Sequence, residues 1–309
     1  MEKNIENCTE LLQKFNTKET IPIGEKLQFS GVGKNDVYNI SRPFLINGKT
    51  VITGRVEMRN AIARSYIYFF ECVNNVWGPV NGAPTLPLED GFFSRIGGET
   101  IIGGVEVYPD STPSHPQGIG YRTIFYRGHD LTSLKKFAVG PDRMKDIRLI
   151  ALSNDRIGVC TRPQGGTNGG GKIGYIELSR LEDINPENLL NAKIIENQFI
   201  SNEWGGANEL HLLEDGQIGV IGHIACRDEQ NIRHYYAMSF VYNPKTHLAS
   251  PIKLIATRKN FPLGDSKTAE LADVIFPGGI ICHFDNTVTL YAGLSDAEAG
   301  CVRLPNPFC

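Results

Sequence analysis

Apolar residues in this chain come in short runs that stop at Gly, Asn or Asp, and the runs come in pairs. The clearest pair is Met144-Lys-Asp-Ile-Arg-Leu-Ile-Ala-Leu-Ser-Asn-Asp-Arg-Ile-Gly-Val-Cys-Thr-Arg162. It holds an acidic residue, a short strand, a tight polar turn and a second strand with charge at its far end. Four other stretches share this order: Asp36 to Ile46 with a turn at Asn47-Gly48, Asp90 to Ile96 with Gly97-Gly98, Glu209 to Leu213 with Asp215-Gly216, and Glu270 to Phe276 with Gly278-Gly279 before Ile280 to His283. The leading acids stand at 36, 90, 146, 209 and 270, so the unit recurs every 54 to 63 residues. Short strands and turns at such a period are the signature of propeller blades. The reading is an all-β, five-bladed β-propeller with four strands in each blade.

Ahead of the strands, Ile5, Cys8, Leu11, Leu12 and Phe15 recur at intervals of three and four, which predicts an amphipathic helix over residues 2–15. Residues 1–22 are read as a helical cap on one end of the body and residues 23–309 as a single propeller domain. No change of composition marks a linker.

A propeller brings the first strand of every blade to a central channel. Asp36, Asp90, Asp146, Glu209 and Glu270 are therefore expected to share one funnel, with Arg148, His211, Lys267 and Asp273 nearby. Each acid alone reads as a turn or backbone cap. Five together cost free energy through like-charge repulsion, and such gatherings accompany shifted pKa values, a bound cation or a polar ligand. Arg55, Arg59, Arg148 and Arg162 are candidates for gripping a phosphate or a sugar carboxylate, because the guanidinium fork matches such oxyanions. Salt bridges to Glu57, Glu106 and the funnel acids are the competing use. His211, His223 and His283 recur on the inner strands of the last two units, where they read as buried hydrogen-bonded side chains or as contacts to sugar hydroxyls or a cation. Tyr38, Phe92, Phe93, Tyr108, Trp204 and Phe284 offer faces for sugar stacking or ordinary packing.

Composition removes several classes. The net charge of -3 and the lack of a basic run with interleaved aromatics give no reason to expect nucleic acid. No stretch reaches the length of a membrane span or a signal core. The 7 Cys are scattered and never form a C-x-x-C pair, so a reducing cytoplasm is the simplest compartment. No spacing matches a structural zinc site, and neither metal nor cofactor is expected. Gly166-Thr-Asn-Gly-Gly-Gly-Lys172 fits G-x-x-x-x-G-K, but Ile173 stands where a magnesium-binding hydroxyl belongs and a strand follows instead of a helix. This stretch reads as a flexible loop over the funnel mouth.

Lys145-Asp146-Ile147-Arg148, Asn208-Glu209-Leu210-His211 and the acids leading the strands resemble the superfamily of five-bladed propeller glycosidases, which includes arabinanases and β-xylosidases, invertases and levansucrases, and mannoside phosphorylases. Gly54-Arg-Val-Glu-Met-Arg59, Gly140-Pro141 with Met144 to Arg148, and Ala269 to Phe276 are similar to domain of unknown function 1861, grouped with those propellers. The resemblance implies a carbohydrate-active enzyme. In its arabinanase-like form Asp36 is the general base on water, Asp146 orients and tunes the acid, and Glu209 is the general acid of an inverting cleavage, with the two carboxyls about 6.5–9.5 Å apart. Mannoside phosphorylases carry an acidic-Asp-Pro-Arg run, of which Lys145 to Arg148 keeps the Asp and the Arg. In that version phosphate replaces water and an Arg cluster replaces the base. A non-catalytic sugar-binding propeller is the alternative of another class, and a protein-interaction scaffold is disfavoured by the lack of repeated Trp-Asp. The expected partner is a small oligosaccharide or glycoside, possibly with phosphate. Loops Pro109 to Gly120 and Gly165 to Gly171 would select it, and the oligomeric state is left open.

Overall fold

The computed structural model describes residues 5–17, 20–59, 64–112 and 118–309. They are almost entirely β, with one helix of nine residues and another of five. The strands form successive antiparallel meanders. Asp36–Tyr38 and Phe44–Ile46 pair with Lys49–Glu57, which continues to Tyr66–Val73 and Val76–Pro79. Glu89–Ile96 begins the next meander, then Arg148–Ala151, Trp204–Leu212 and Asp273–Cys282 begin the others. The last two meanders share one sheet through a parallel contact, His234 opposite Asp273.

The final meander obtains its outer strand from the start of the chain: Glu25–Lys26 pairs with Glu298–Pro305. No local pattern encodes that pairing, which ties the two ends of the chain together. Inward residues form apolar clusters between consecutive meanders. Phe92, Ile147 and Val159 belong to one, Phe44, Ile67 and Ile102 to another, and Val37, Ile52 and Ala299 close the series between the last meander and the first. Each fully buried Ile or Leu in such a layer contributes about 1.5–3 kcal/mol.

The Gly278-Gly279 pair is not the turn that the sequence suggests. Asp273–Cys282 runs through it as one strand with a bulge between Pro277 and Gly279. A Cβ on Gly278 would stand 1.8 Å from the Ile40 carbonyl oxygen, so the glycine lets this strand approach the backbone that follows Asp36–Tyr38. The reversal comes later, at Asp285 and Asn286.

The helix covers Cys8–Asn16, with Asn7 in a capping box with Glu10. Its buried face, Cys8, Leu11 and Phe15, joins the apolar cluster of the third and fourth meanders beside Tyr236 and Leu254. Residues 2–4 of the predicted helix, and 113–117 of the Pro109 to Gly120 loop, lie outside the described residues.

Candidate functional site

Four polar residues of the site carry unusual backbone. Asn39, Asp90, Asp146 and Asp296 have φ of 44°, 51°, 58° and 51°. Asn and Asp tolerate the left-handed region, and such conformations gather at sites where geometry is imposed by function. Bulges at Glu89/Phe92 and Ala207/Glu209 re-aim the side chains around them.

Asp90 is buried, and its Oδ1 accepts from Asn39 Nδ2 at 2.8 Å and from Arg55 Nη1 at 3.3 Å. Its Oδ2 makes no hydrogen bond among the described residues. Arg55 lies 5.1 Å over the Tyr38 ring and also binds Glu57 at 2.7 Å and Glu89 at 2.9 Å. Burial works to lift Glu57, but Arg55, Lys267 and Ser65 outweigh it and hold the carboxyl at about 2. Asp296, which feels the charges of Arg55, Asp90, Lys267 and Lys145, is pushed upward by burial. Burial also pushes Glu89 up.

Asp146 is buried across from this group, with Arg162 Nη1 3.2 Å and Arg148 Nη2 3.7 Å from its oxygens. Burial alone would lift it, yet Arg162, His223, Arg148 and Lys145 bring it below the ordinary carboxylate value. Arg162 Nε donates to Gly205 O at 2.7 Å and Nη2 to Gly170 O at 3.0 Å, while its buried Nη1 makes no hydrogen bond. Lys145 is half-buried and makes no hydrogen bond or ion pair among the described residues. Burial opposes its charge, but Asp146 and Asp90 hold it above the ordinary lysine value.

His223 Nδ1 lies 2.8 Å from Asn208 Oδ1. Burial pushes it down to about 3, so it is neutral at physiological pH. With the amide oxygen as acceptor, Nδ1 carries the hydrogen and Nε2 is left as an acceptor. The ring stacks on Tyr235 at 5.5 Å, and Tyr235 accepts from Trp204 Nε1 at 3.0 Å. Gly206 makes room for the cluster: a Cβ there would stand 2.9 Å from both Arg162 Cδ and His223 Cε1 and 3.2 Å from Asp146 Oδ2.

Other predicted residues lie elsewhere. Asp36 is held on both oxygens by Arg59, at 2.7 and 2.8 Å, and Arg59 also binds Asp265. Glu209 lies further along its strand than Gly206, the residue that faces Asp146, with a bulge between them. Its carboxylate is taken by Arg42, by His211 Nε2 at 2.7 Å and by Ile280 N–H at 2.7 Å. Four further residues have other partners. Glu106 pairs with Arg122 of its own meander at 2.7 Å. Glu270 precedes its strand in a 3-10 turn, 40% exposed, opposite Arg227 and Arg233, and Asp273 binds His234 at 2.7 Å and Tyr236 at 3.0 Å. His283 binds Thr289 at 2.8 Å beyond the end of its strand, so of the three histidines only His223 stands with Asp146. The Gly166 to Lys172 stretch is pinned by backbone hydrogen bonds, Gly165 N to Gly169 O at 2.8 Å and Gly171 N to Asn168 O at 3.0 Å, and its Gly170 carbonyl secures Arg162.

Sequence reading missed Lys145, Asp296, Asn39 and Tyr235. Lys145 and Asn39 stood beside highlighted residues, and their type was the available signal. Asp296 arrives from a hairpin between the last two strands, which no inner-strand pattern announces.

A family model described as Protein of unknown function (DUF1861) matches residues 13–309. No curated protein sequence matches the chain. Among solved structures, a mannose phosphorylase from Leishmania mexicana, in complex with phosphate ion, is 34% identical with a TM-score of 0.89, covering 97% of this chain and 93% of its own. A GDP-Man-dependent mannosyltransferase from the same organism is 33% identical with a TM-score of 0.88, covering 98% and 95%. A β-1,2-mannobiose phosphorylase from Listeria innocua, in complex with β-1,2-mannobiose, is 13% identical with a TM-score of 0.64 over 94% and 96%, a likeness of fold alone. The chain belongs to the DUF1861 family, and its fold is that of the propeller glycosidases and mannoside phosphorylases.

Proposed function

We propose that the meanders are the five blades of a propeller and that its funnel is the active site of a carbohydrate-active enzyme transferring a mannosyl group to phosphate. Apolar layers between each pair of consecutive meanders, including the last and the first, support a closed ring. The observation that carries the chemistry is the unsatisfied positive charge beside Asp146: Lys145 without a partner among the described residues and a buried Arg162 Nη1 without a hydrogen bond. A buried donor left unmade costs about 1–3 kcal/mol, and more when charged. A phosphate seated there satisfies both groups, and the neutral Nε2 of His223 accepts from a protonated phosphate oxygen.

In this reading the sugar lies between the phosphate and Asp90. A phosphate oxygen attacks the anomeric carbon as the bond to the leaving oxygen breaks, and Asp90 Oδ2 passes to that oxygen a proton taken up from solvent as the substrates bind. The products are a mannose 1-phosphate of inverted configuration and the shortened saccharide. Asp146 positions Arg162 and Lys145. Asp296 and Glu89, pushed up by burial, face the sugar hydroxyls. The hydrolytic version has less support, because Asp36 is clamped by Arg59 and Glu209 has no free oxygen pointing at a substrate.

The two Leishmania relatives, a phosphorylase and a GDP-Man-dependent transferase, are nearly equally similar to this chain, so the test includes both donors. Purified protein is incubated with β-1,2-mannobiose with and without phosphate, and separately with GDP-mannose and mannose. Turnover of mannobiose that requires phosphate supports the proposal. Turnover of GDP-mannose alone assigns the cations to a nucleotide diphosphate and overturns it.

A further inference from the structure

The axial channel has a second charged end. The strands Glu89–Ile96, Arg148–Ala151 and Trp204–Leu212 start at the funnel just described and run toward their hairpins. Beyond the level of Asp146, at Phe93 to Arg95, Leu149 to Ala151 and Asn208 to Leu210, they enclose a cavity of about 160 Å³. Three guanidiniums line it, Arg42, Arg95 and Arg148, against the single carboxylate of Glu209. That carboxylate is already occupied by Arg42, His211 and the Ile280 N–H. Arg42 donates through Nε to Glu209 and through Nη1 to Pro43 O, leaving Nη2 without a hydrogen bond. Arg148 donates through Nε and Nη1 to the carbonyls of Asn208 and Ile147, and its Nη2 has only the 3.7 Å contact to Asp146. Arg42 lies 5.4 Å over Phe93 and Arg148 4.3 Å over Phe92, so both planes are fixed by aromatic faces with their remaining donors unspent.

We infer that this far end of the channel is a separate binding site for a small tetrahedral oxyanion, either inorganic phosphate or the phosphate group of a sugar phosphate. The cavity has room for a group of that size, and planar guanidinium forks are the donors suited to it. Arg148 is shared with the funnel. An anion drawing on its Nη2 weakens its hold on Asp146, so occupancy at one end is felt at the other by reciprocal linkage.

Calorimetric titration of the whole chain tests this with inorganic phosphate, sulfate and mannose 1-phosphate as probes. Lys145→Ala weakens the funnel anion site about 10- to 100-fold and is expected to leave one binding event at the parent's affinity. Adding Arg42→Gln and Arg95→Gln is expected to abolish that event. Because Arg42 also holds Glu209, Ser94→Glu serves as a second variant: it puts a negative charge into the cavity, keeps both arginines and is expected to weaken the remaining event at least tenfold. Competition by sulfate identifies a site for free oxyanions, and preference for mannose 1-phosphate identifies one for the ester. A Lys145→Ala protein that binds none of the three probes, or whose binding is unchanged by Ser94→Glu, overturns the inference.

Discussion

Arg162 Nη1 stands 3.2 Å from Asp146 Oδ2, yet the contact lacks hydrogen-bond geometry and leaves that donor unspent in the interior. A guanidinium so placed is electrically compensated but not satisfied. The proposed chemistry grows from this pair and from Lys145 beside it.

Lys145→Ala removes a charge that holds no partner among the described residues. Its thermal transition is expected to stay within about 2 °C of the parent, since surface-like changes cost under ~0.5 kcal/mol. The KM for phosphate is expected to rise about 10- to 100-fold, the worth of one charge-assisted hydrogen bond of ~1.5–3 kcal/mol. Steady-state kinetics at varied phosphate measures it.

Asp90→Asn keeps an acceptor for Asn39 and Arg55 but removes the proton. Turnover is expected to fall about 10²- to 10⁴-fold, the usual contribution of a positioned acid. Substrate binding, read by titration of the variant with mannobiose, is retained. Full activity would remove Asp90 from proton transfer.

Glu209→Gln separates a structural from a catalytic role for that residue. Breaking a buried pair leaves Arg42 uncompensated and costs about 3–5 kcal/mol, a clear drop in the melting temperature. The kcat per folded molecule is expected to survive. A stable but inactive variant would instead restore Glu209 as the acid.

Gly206→Ala drives a methyl into Arg162, His223 and Asp146 at once. Overpacking costs about 1–3 kcal/mol, and phosphate affinity is expected to fall with it because Arg162 and His223 are displaced together. Titration calorimetry and a melting curve read both effects.

Stability is expected to decline on acidification in two stages. His223 has a folded pKa of about 3 against 6.5 when unfolded, so below about pH 6.5 the unfolded chain takes up a proton that the folded one refuses, and stability falls until pH reaches about 3. Glu57, at about 2 against 4.5, adds a further loss from about pH 4.5 downward. Melting temperatures between pH 8 and pH 4 should show the first stage, and His223→Gln should flatten it.

Much of the fold is legible in the sequence because the strand-turn-strand unit is local: a run of β-formers, then Asn-Gly or Asp-Gly, recurs with a recognisable period. What is not legible depends on register and on distant contacts. The bulge between Ala207 and Glu209 offsets the fourth inner strand, so Glu209 follows the same short motif as Asp146 and yet stands at a different depth. Gly278-Gly279 looks like a turn because glycine serves both turns and close approaches, and only the Ile40 carbonyl decides between them. The joining of Glu25–Lys26 to the last strand spans the chain and has no local signature. In the site, Asp146, Arg162, Arg148 and His223 stand out by type and position. Lys145 does not, since an isolated lysine is usually solvated, and Asp296 belongs to a hairpin tip.

The central claim is that the funnel spends its positive charge on phosphate during sugar transfer. Phosphorus NMR of the protein with β-1,2-mannobiose and inorganic phosphate tests it most directly. The expected result is loss of the phosphate signal with matching growth of a mannose 1-phosphate signal, both slowed about 10- to 100-fold at subsaturating phosphate when Lys145 is replaced by Ala. Release of mannose with the phosphate signal unchanged would contradict the account.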